Sequence, residues 1–174
     1  MDHIVLFDDP KSRGNLLPFT FTRPIAEIRI GIFKISEKWQ NSLHAKDLGF
    51  VTQNYLQAKY PPLNQKALYI NGALCPDEAL LDAINALNEN EALWQNDTLL
   101  ATFFDKPEDF HNDHLPTKKS VEFEEDIRLL SRNWQIFLWN GDEIKKDFSL
   151  ISKRRVSWGT DDPHTHMYNE PSIF

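Results

Sequence analysis

Ile4-Val5-Leu6-Phe7-Asp8-Asp9-Pro10 is the stretch on which the fold turns. Four apolar residues in a row read as a short buried strand. Pro10 has no N–H to give a ladder, so the strand ends in a turn at the two acids. Downstream, residues 11–24 hold Gly14, Asn15, Pro18 and Pro24 and read as a long ordered loop, with Leu16, Leu17, Phe19 and Phe21 expected to pack inward. Loops of this length inside a compact domain are usually functional.

After Gly31, the residues Ile32, Ile35 and Trp39 share one helical face, with Lys34, Glu37 and Lys38 off it. Phe50-Val51-Thr52 reads as a short strand, and Ala67-Leu68-Tyr69-Ile70 as a second buried one closed by Asn71-Gly72. Pro76-Asp77-Glu78 opens a helix, with the proline at its first position and Leu80, Ile84 and Leu87 as its inner stripe. Residues 92–94 and 98–104 flank Gln95-Asn96-Asp97 as a hairpin. Residues 105–120 are polar and predict a surface loop. Residues 133–139 and 142–151 predict two short helices parted by Gly141, with Asp142 capping the second. From Lys153 on the chain reads as irregular.

Strand and helix signals alternate through the first hundred residues. The fold class is therefore α/β, a mixed, mainly parallel sheet flanked by helices. In such sheets ligands lie beyond the C-terminal strand ends, where Asp8-Asp9 and Asn71-Gly72 are expected to converge.

The 174 residues suffice for one domain with a real core. No apolar run approaches the ~18 residues that span a bilayer. Nor does the N-terminus show a basic segment followed by an apolar one, so neither membrane nor secretion is implied. The single cysteine, Cys75, excludes an internal disulfide and suits a reducing, cytoplasmic setting. A net charge of -7 argues against general nucleic-acid binding, while local basic clusters can still hold a phosphate. The paired histidines His111/His114 and His164/His166 lack a third clear ligand and read as solvated. Lys153-Arg154-Arg155 reads as a solvated or phosphate-facing run, and Trp134, Ile136, Phe137 and Trp139 as packing.

The loop carries Arg13, Leu17-Pro18-Phe19-Thr20 and Arg23-Pro24, and this resembles the nucleotide-binding loop of sugar-1-phosphate nucleotidyltransferases. Tyr69-Ile70-Asn71-Gly72-Ala73 followed by Pro76 is similar to that family's second motif, a buried strand ending in Gly-Asp before a helix. Leu68 to Gly72 and Asn140 to Phe148 resemble a subgroup of bacterial two-domain proteins similar to N-acetylglucosamine-1-phosphate uridyltransferases. The resemblance implies a nucleotidyltransferase-like domain over residues 1–174, cut before a left-handed β-helix with acyltransferase character. It implies UTP and a sugar-1-phosphate as substrates and Mg²⁺ as cofactor, and it leaves the sugar and the oligomeric state open.

Joining two polyanions needs cations to offset their repulsion. Arg13 and Arg23 are the candidates for catalysis, through bidentate phosphate contacts. Lys11 and Arg29 are reserves. Phe7, Asp8 and Asp9, with the turn to Gly14, are expected to hold the nucleotide, and Asn71 and Gly72 to line the sugar or nucleoside side.

Three departures bear on activity. The first turn is acidic instead of Gly-rich, the lysine expected after Pro24 is Ile25, and the metal-binding aspartate falls on Ala73. Losing a cation and a metal ligand costs phosphoryl transfer several orders of magnitude unless Asp8, Asp77, Asp105 or Asp142 substitutes. A nucleotide-binding module that regulates or positions a linked acyltransferase domain is therefore the alternative to an enzyme. An assembly scaffold is the third reading.

Overall fold

The computed structural model describes residues 2–105, 110, 119–153, 162, 164–166 and 168. Its main sheet contains β1 (His3–Phe7), β2 (Asp47–Val51), β3 (Ala67–Asn71), β5 (Glu91–Gln95), β6 (Thr98–Phe104) and β7 (Lys119–Glu122). The strand order is β2-β1-β3-β6-β5-β7. β1 pairs in parallel with both β2 and β3, and β5 with β7, while β6 runs against its two neighbours. The sheet is thus mixed and mainly parallel, with β6 alone reversed. β4 (Leu74–Cys75) and β8 (Arg128–Leu129) form a small antiparallel pair beside it.

Alternation along β1 explains why the whole run Ile4 to Phe7 is apolar. Ile4 and Leu6 face the larger core with Leu68, Ile70 and Trp39, and Val5 and Phe7 face a second core with Tyr69, Phe104 and Phe110. A strand covered on both faces shows no polar alternation. The second core is aromatic: Phe7 and Phe110 lie with ring centres 4.8 Å apart, and Tyr69 stacks on Phe110 at 4.9 Å.

The helices are α1 (Pro10–Asn15), α2 (Ile35–Leu43), α3 (Glu78–Asn85) and α4 (Asn133–Ser152). All four differ from the sequence reading: α2 begins at Ile35, which leaves Ile32 ahead of it, and Lys38, expected off the buried face, is buried. Part of the expected loop is helical, because Pro10 takes the first position of α1 and the Asp9 carboxylate caps it, accepting from Ser12 N at 2.7 Å. In α3 the cap is Asp77, accepting from Leu80 N at 2.9 Å, so Pro76 precedes the cap instead of opening the helix.

α4 is one continuous helix of 20 residues in place of two short ones. Gly141 sits mid-helix, and Asp142 pairs with Arg128 at 3.1 Å instead of capping. Residues on both sides of Gly141 share one tertiary task, which holds the helix together across it. Asn140 Oδ1 accepts from Gly31 N at 2.9 Å, and Asp147 Oδ2 accepts from Ile32 N and Phe33 N at 2.9 and 3.1 Å. Lys38 Nζ, buried on α2, lies 2.9 Å from Glu143 and 2.5 Å from Asp147. Gly31 has φ +84°, and a Cβ there would come within 2.6 Å of Asp147 Oδ2, so only glycine fits this approach.

The expected hairpin at 92–104 is present as β5 and β6, turned at Asn96 with φ 49°. Phe110 is the one described residue of 106–118, and it is buried. His111 and His114, with Arg154 and Arg155 of the basic run, lie outside the described residues; His164 and His166 are exposed. Among the described residues no helix is long and apolar enough to cross a membrane.

Candidate functional site

The C-terminal ends of β1 and β3 lie side by side, with Phe7 in register with Asn71. The space above them is closed by the chain itself. The segment after Pro24 folds as a short 3₁₀ turn (Ile25–Glu27) across the strand ends. Gly72 N donates to Phe7 O at 2.8 Å, and a Cβ on Gly72 would lie 3.2 Å from that of Ala26. Asn71 is buried, its Nδ2 donating to Leu99 O and its Oδ1 accepting from Ala73 N, both at 3.1 Å. Asn71 and Gly72 therefore shape the turn and the floor beneath it. Phe7 turns its ring into the aromatic core.

Asp8 is the hub of the loop. Its carboxylate accepts from Arg13 Nη1 at 2.7 Å, Ile25 N at 2.7 Å and Thr52 Oγ1 at 2.5 Å. Burial pushes the Asp8 carboxyl above its ordinary value, and these three donors pull it back only in part. Arg13 is 7 % exposed and committed to the same hub. Its Nη1 also reaches Arg23 O at 3.3 Å, and its Nη2 donates to Thr20 O and to Tyr55 Oη. Only Leu16 of the four apolar loop residues expected inside is buried; Leu17, Phe19 and Phe21 are exposed, because Arg13 and Thr20 fill the loop's interior.

Arg23 is exposed, and its side chain makes no hydrogen bond or ion pair among the described residues. It lines a cleft of 530 Å³ with Phe19, Arg29, Asn133, Phe137 and Asn140, over a floor of Ile28 and Ile136. Arg29 donates to Ile32 O and stands 3.9 Å from Glu37, leaving its side chain half-exposed. Asn133 Nδ2 donates to Leu17 O at 3.1 Å, whereas its buried Oδ1 has no partner. Lys11, exposed on α1, has no ion-pair partner among the described residues.

Two of the predicted cations, Arg23 and Arg29, thus share a cleft with apolar walls and two amides. Arg13 meets Arg23 through the latter's carbonyl, with its own guanidinium turned into the hub. The cleft's other wall, on α4, was missed in the sequence, where Phe137 reads as packing. No local signal marks it: the polar spacing Asn140, Glu143, Asp147 reads as a solvent face, and only the contacts to Gly31, Ile32 and Lys38 turn it inward.

The sequence model of the sugar nucleotidyl transferase family matches residues 4–156. The chain belongs to the sugar nucleotidyl transferase family. No curated protein matches it. The family match spans both halves of the cleft, the loop and α4. Sugar nucleotidyl transferases commonly use a divalent metal, but the described residues do not fit one. Ala73, at the expected metal position, is buried and its carbonyl accepts from Leu130 N at 2.8 Å. Asp8 is saturated by its three donors, and no group of three potential metal ligands occurs among the described residues.

Proposed function

We propose that this domain joins a nucleoside triphosphate to a sugar-1-phosphate in the Arg23–Arg29 cleft. The observation that carries the reading is the pair of guanidiniums, one without a partner among the described residues, beside the orphaned Asn133 Oδ1. Guanidiniums match phosphate oxygens, and amides match sugar hydroxyls or base edges. The exposed Phe19 and Phe137 rings offer flat faces for a base or for the C–H face of a sugar.

In the reaction, a phosphate oxygen of the sugar-1-phosphate attacks the α-phosphorus of the triphosphate. The bond to the β-phosphate oxygen breaks, and pyrophosphate leaves. Arg23 and Arg29 neutralise the charge that this brings together, with Lys11 as a further cation at the loop. Arg13 acts as a positioning residue: with Asp8 it fixes the turn of Phe7 to Gly14 on which the nucleotide is held. UTP and N-acetylglucosamine-1-phosphate are the substrates by resemblance, and the setting is the cytoplasm, with a linked acyltransferase-like domain as the natural companion.

One observation favours a second reading. Ile25 and Ala73, where the family pattern has a cation and a metal carboxylate, are both fully buried. A domain so built binds the nucleotide or nucleotide sugar without turning it over. The separating experiment is pyrophosphate release from UTP with N-acetylglucosamine-1-phosphate or glucose-1-phosphate and magnesium, run beside nucleotide-dependent thermal stabilisation. Turnover supports transfer. Stabilisation without turnover leaves the binding module, and neither response removes both.

A further inference from the structure

Arg29 stands on a tight turn. Its backbone bridges that of Lys34, and Ile30 N donates to Phe33 O at 3.3 Å, which leaves Gly31 and Ile32 at the tip. α4 holds this tip through three successive N–H groups. Gly31 N donates to Asn140 Oδ1 at 2.9 Å, and Ile32 N and Phe33 N donate to Asp147 Oδ2 at 2.9 and 3.1 Å.

One peptide unit joins α4 to the Arg29 side chain. The Phe33 N–H donates to Asp147, and the carbonyl of the same unit, Ile32 O, accepts from Arg29 Nη1. In a planar trans peptide the N–H and the C=O point in opposite directions. By drawing the N–H to one side, Asp147 aims the carbonyl to the other, where it tethers the guanidinium. A competitor stands close, since Glu37 Oε2 lies 3.9 Å from the same Nη1. Without the carbonyl, Glu37 takes the guanidinium, and the charge is spent within the chain.

We infer that Asp147 and Asn140 are positioning residues for Arg29, an inference that rests on the cleft being the nucleotide site. They fix the turn whose carbonyl keeps the Arg29 guanidinium off Glu37 and open to a phosphate. Asp147 is the more telling of the two. It is buried and does not line the cleft, so its influence on a bound nucleotide runs through the turn. Both its oxygens are committed, Oδ2 to the turn and Oδ1 to Lys38 Nζ at 2.5 Å. An asparagine there has one oxygen for two sets of donors, so when Lys38 claims it the turn is let go. Lys38 keeps its other carboxylate, Glu143 at 2.9 Å, and the contact between α2 and α4 survives.

The test is UTP affinity by calorimetry, with arginine reactivity beside it. Asp147→Asn is expected to raise the Kd for UTP about tenfold, but less than about twofold in an Arg29→Ala background, where the tethered group is already gone. Glu37→Gln, whose amide oxygen can still accept from Lys34 N, is expected to bring Asp147→Asn back to within about threefold of the parent. A merely structural role gives neither result. Ile84→Ala, on the buried face of α3, is the control, expected to lower the melting temperature and leave the Kd within about twofold. Should Asp147→Asn not fold, Asn140→Ala loses only the Gly31 bond and is expected to raise the Kd about threefold. Modification by phenylglyoxal reads the tether without nucleotide. Asp147→Asn is expected to slow it at Arg29 at least about threefold, through the pair with Glu37, and to leave Arg23 unchanged. An Asp147→Asn chain with the parent's affinity overturns the proposal, as does a loss that Arg29→Ala does not absorb or Glu37→Gln does not recover. A parent chain that binds no UTP removes the proposed function instead, and unchanged Arg29 reactivity then overturns the positioning as well.

Discussion

Arg13 and Arg23 lie ten residues apart on one loop and carry the same side chain, yet they have opposite surroundings. Arg13 is sealed into a hub with Asp8, Thr20 and Tyr55, and Arg23 faces an open cleft beside Arg29. The difference lies in what the neighbouring backbone needs. The loop encloses carbonyls that must be satisfied, and Arg13 reaches those of Thr20 and Arg23 together with the buried carboxylate of Asp8. Arg23 contributes its carbonyl to that hub and keeps its guanidinium outside. A cationic side chain on such a loop is therefore free for a ligand only when the loop does not itself require it.

The sharpest way to break this comparison is to truncate both arginines. Arg13→Ala leaves Asp8 buried and without its cation. It is expected to cost about 3–5 kcal/mol of stability, read from chemical denaturation. Arg23→Ala, measured the same way, is expected to move stability by less than about 0.5 kcal/mol. Equal losses in the two variants would mean that the hub and the cleft are not distinct.

A second region tests whether α4 is held by its polar face. Gly31→Ala combines a left-handed backbone with a Cβ driven into Asp147, and the expected cost is about 2–4 kcal/mol, visible as a lowered melting temperature. An unchanged melting temperature would show that α4 does not rest on this segment. Next in size is ligand affinity. Arg23→Ala and Arg29→Ala are each expected to weaken nucleotide binding by about 1–3 kcal/mol, read by calorimetry with UTP. Unaltered affinity in both would remove the cleft from the proposed function.

The smallest effect at neutral pH is electrostatic, and it contrasts the two buried carboxylates. Burial pushes Glu143 up as it does Asp8, but Lys38, Lys146 and Arg128 together outweigh burial and hold Glu143 below its ordinary value. Asp8 has one cation, so burial prevails there. The signs follow from linkage. Glu143 contributes stability above its unfolded value, near pH 4.3, and loses it as pH falls through the lower folded value. Asp8 contributes most below its unfolded value, near pH 3.9, and loses it as pH rises through its raised folded value. Glu143→Gln is therefore expected to flatten the acid limb of a stability-against-pH profile. An acid limb as steep as in the parent chain would contradict the assignment.

The sequence by itself determined the sheet's opening strand, the strand from Ala67 and the mainly parallel class. Ile4 to Phe7 and Ala67 to Ile70 are apolar throughout because both faces of those strands are covered, and the hairpin at 92–104 follows from local turn chemistry. It also placed both arginines on the segment after the first strand and carried the family, while the helix α1 within that segment came only with the fold. Tertiary structure alone decided which arginine is spent and which is free, since that depends on the carbonyls and carboxylate a folded loop must satisfy. It likewise decided that α4 runs unbroken through Gly141 and turns Glu143 and Asp147 inward. A residue's local preference carries no information about a lysine buried a hundred positions away, and here that lysine, Lys38, sets which way the helix faces.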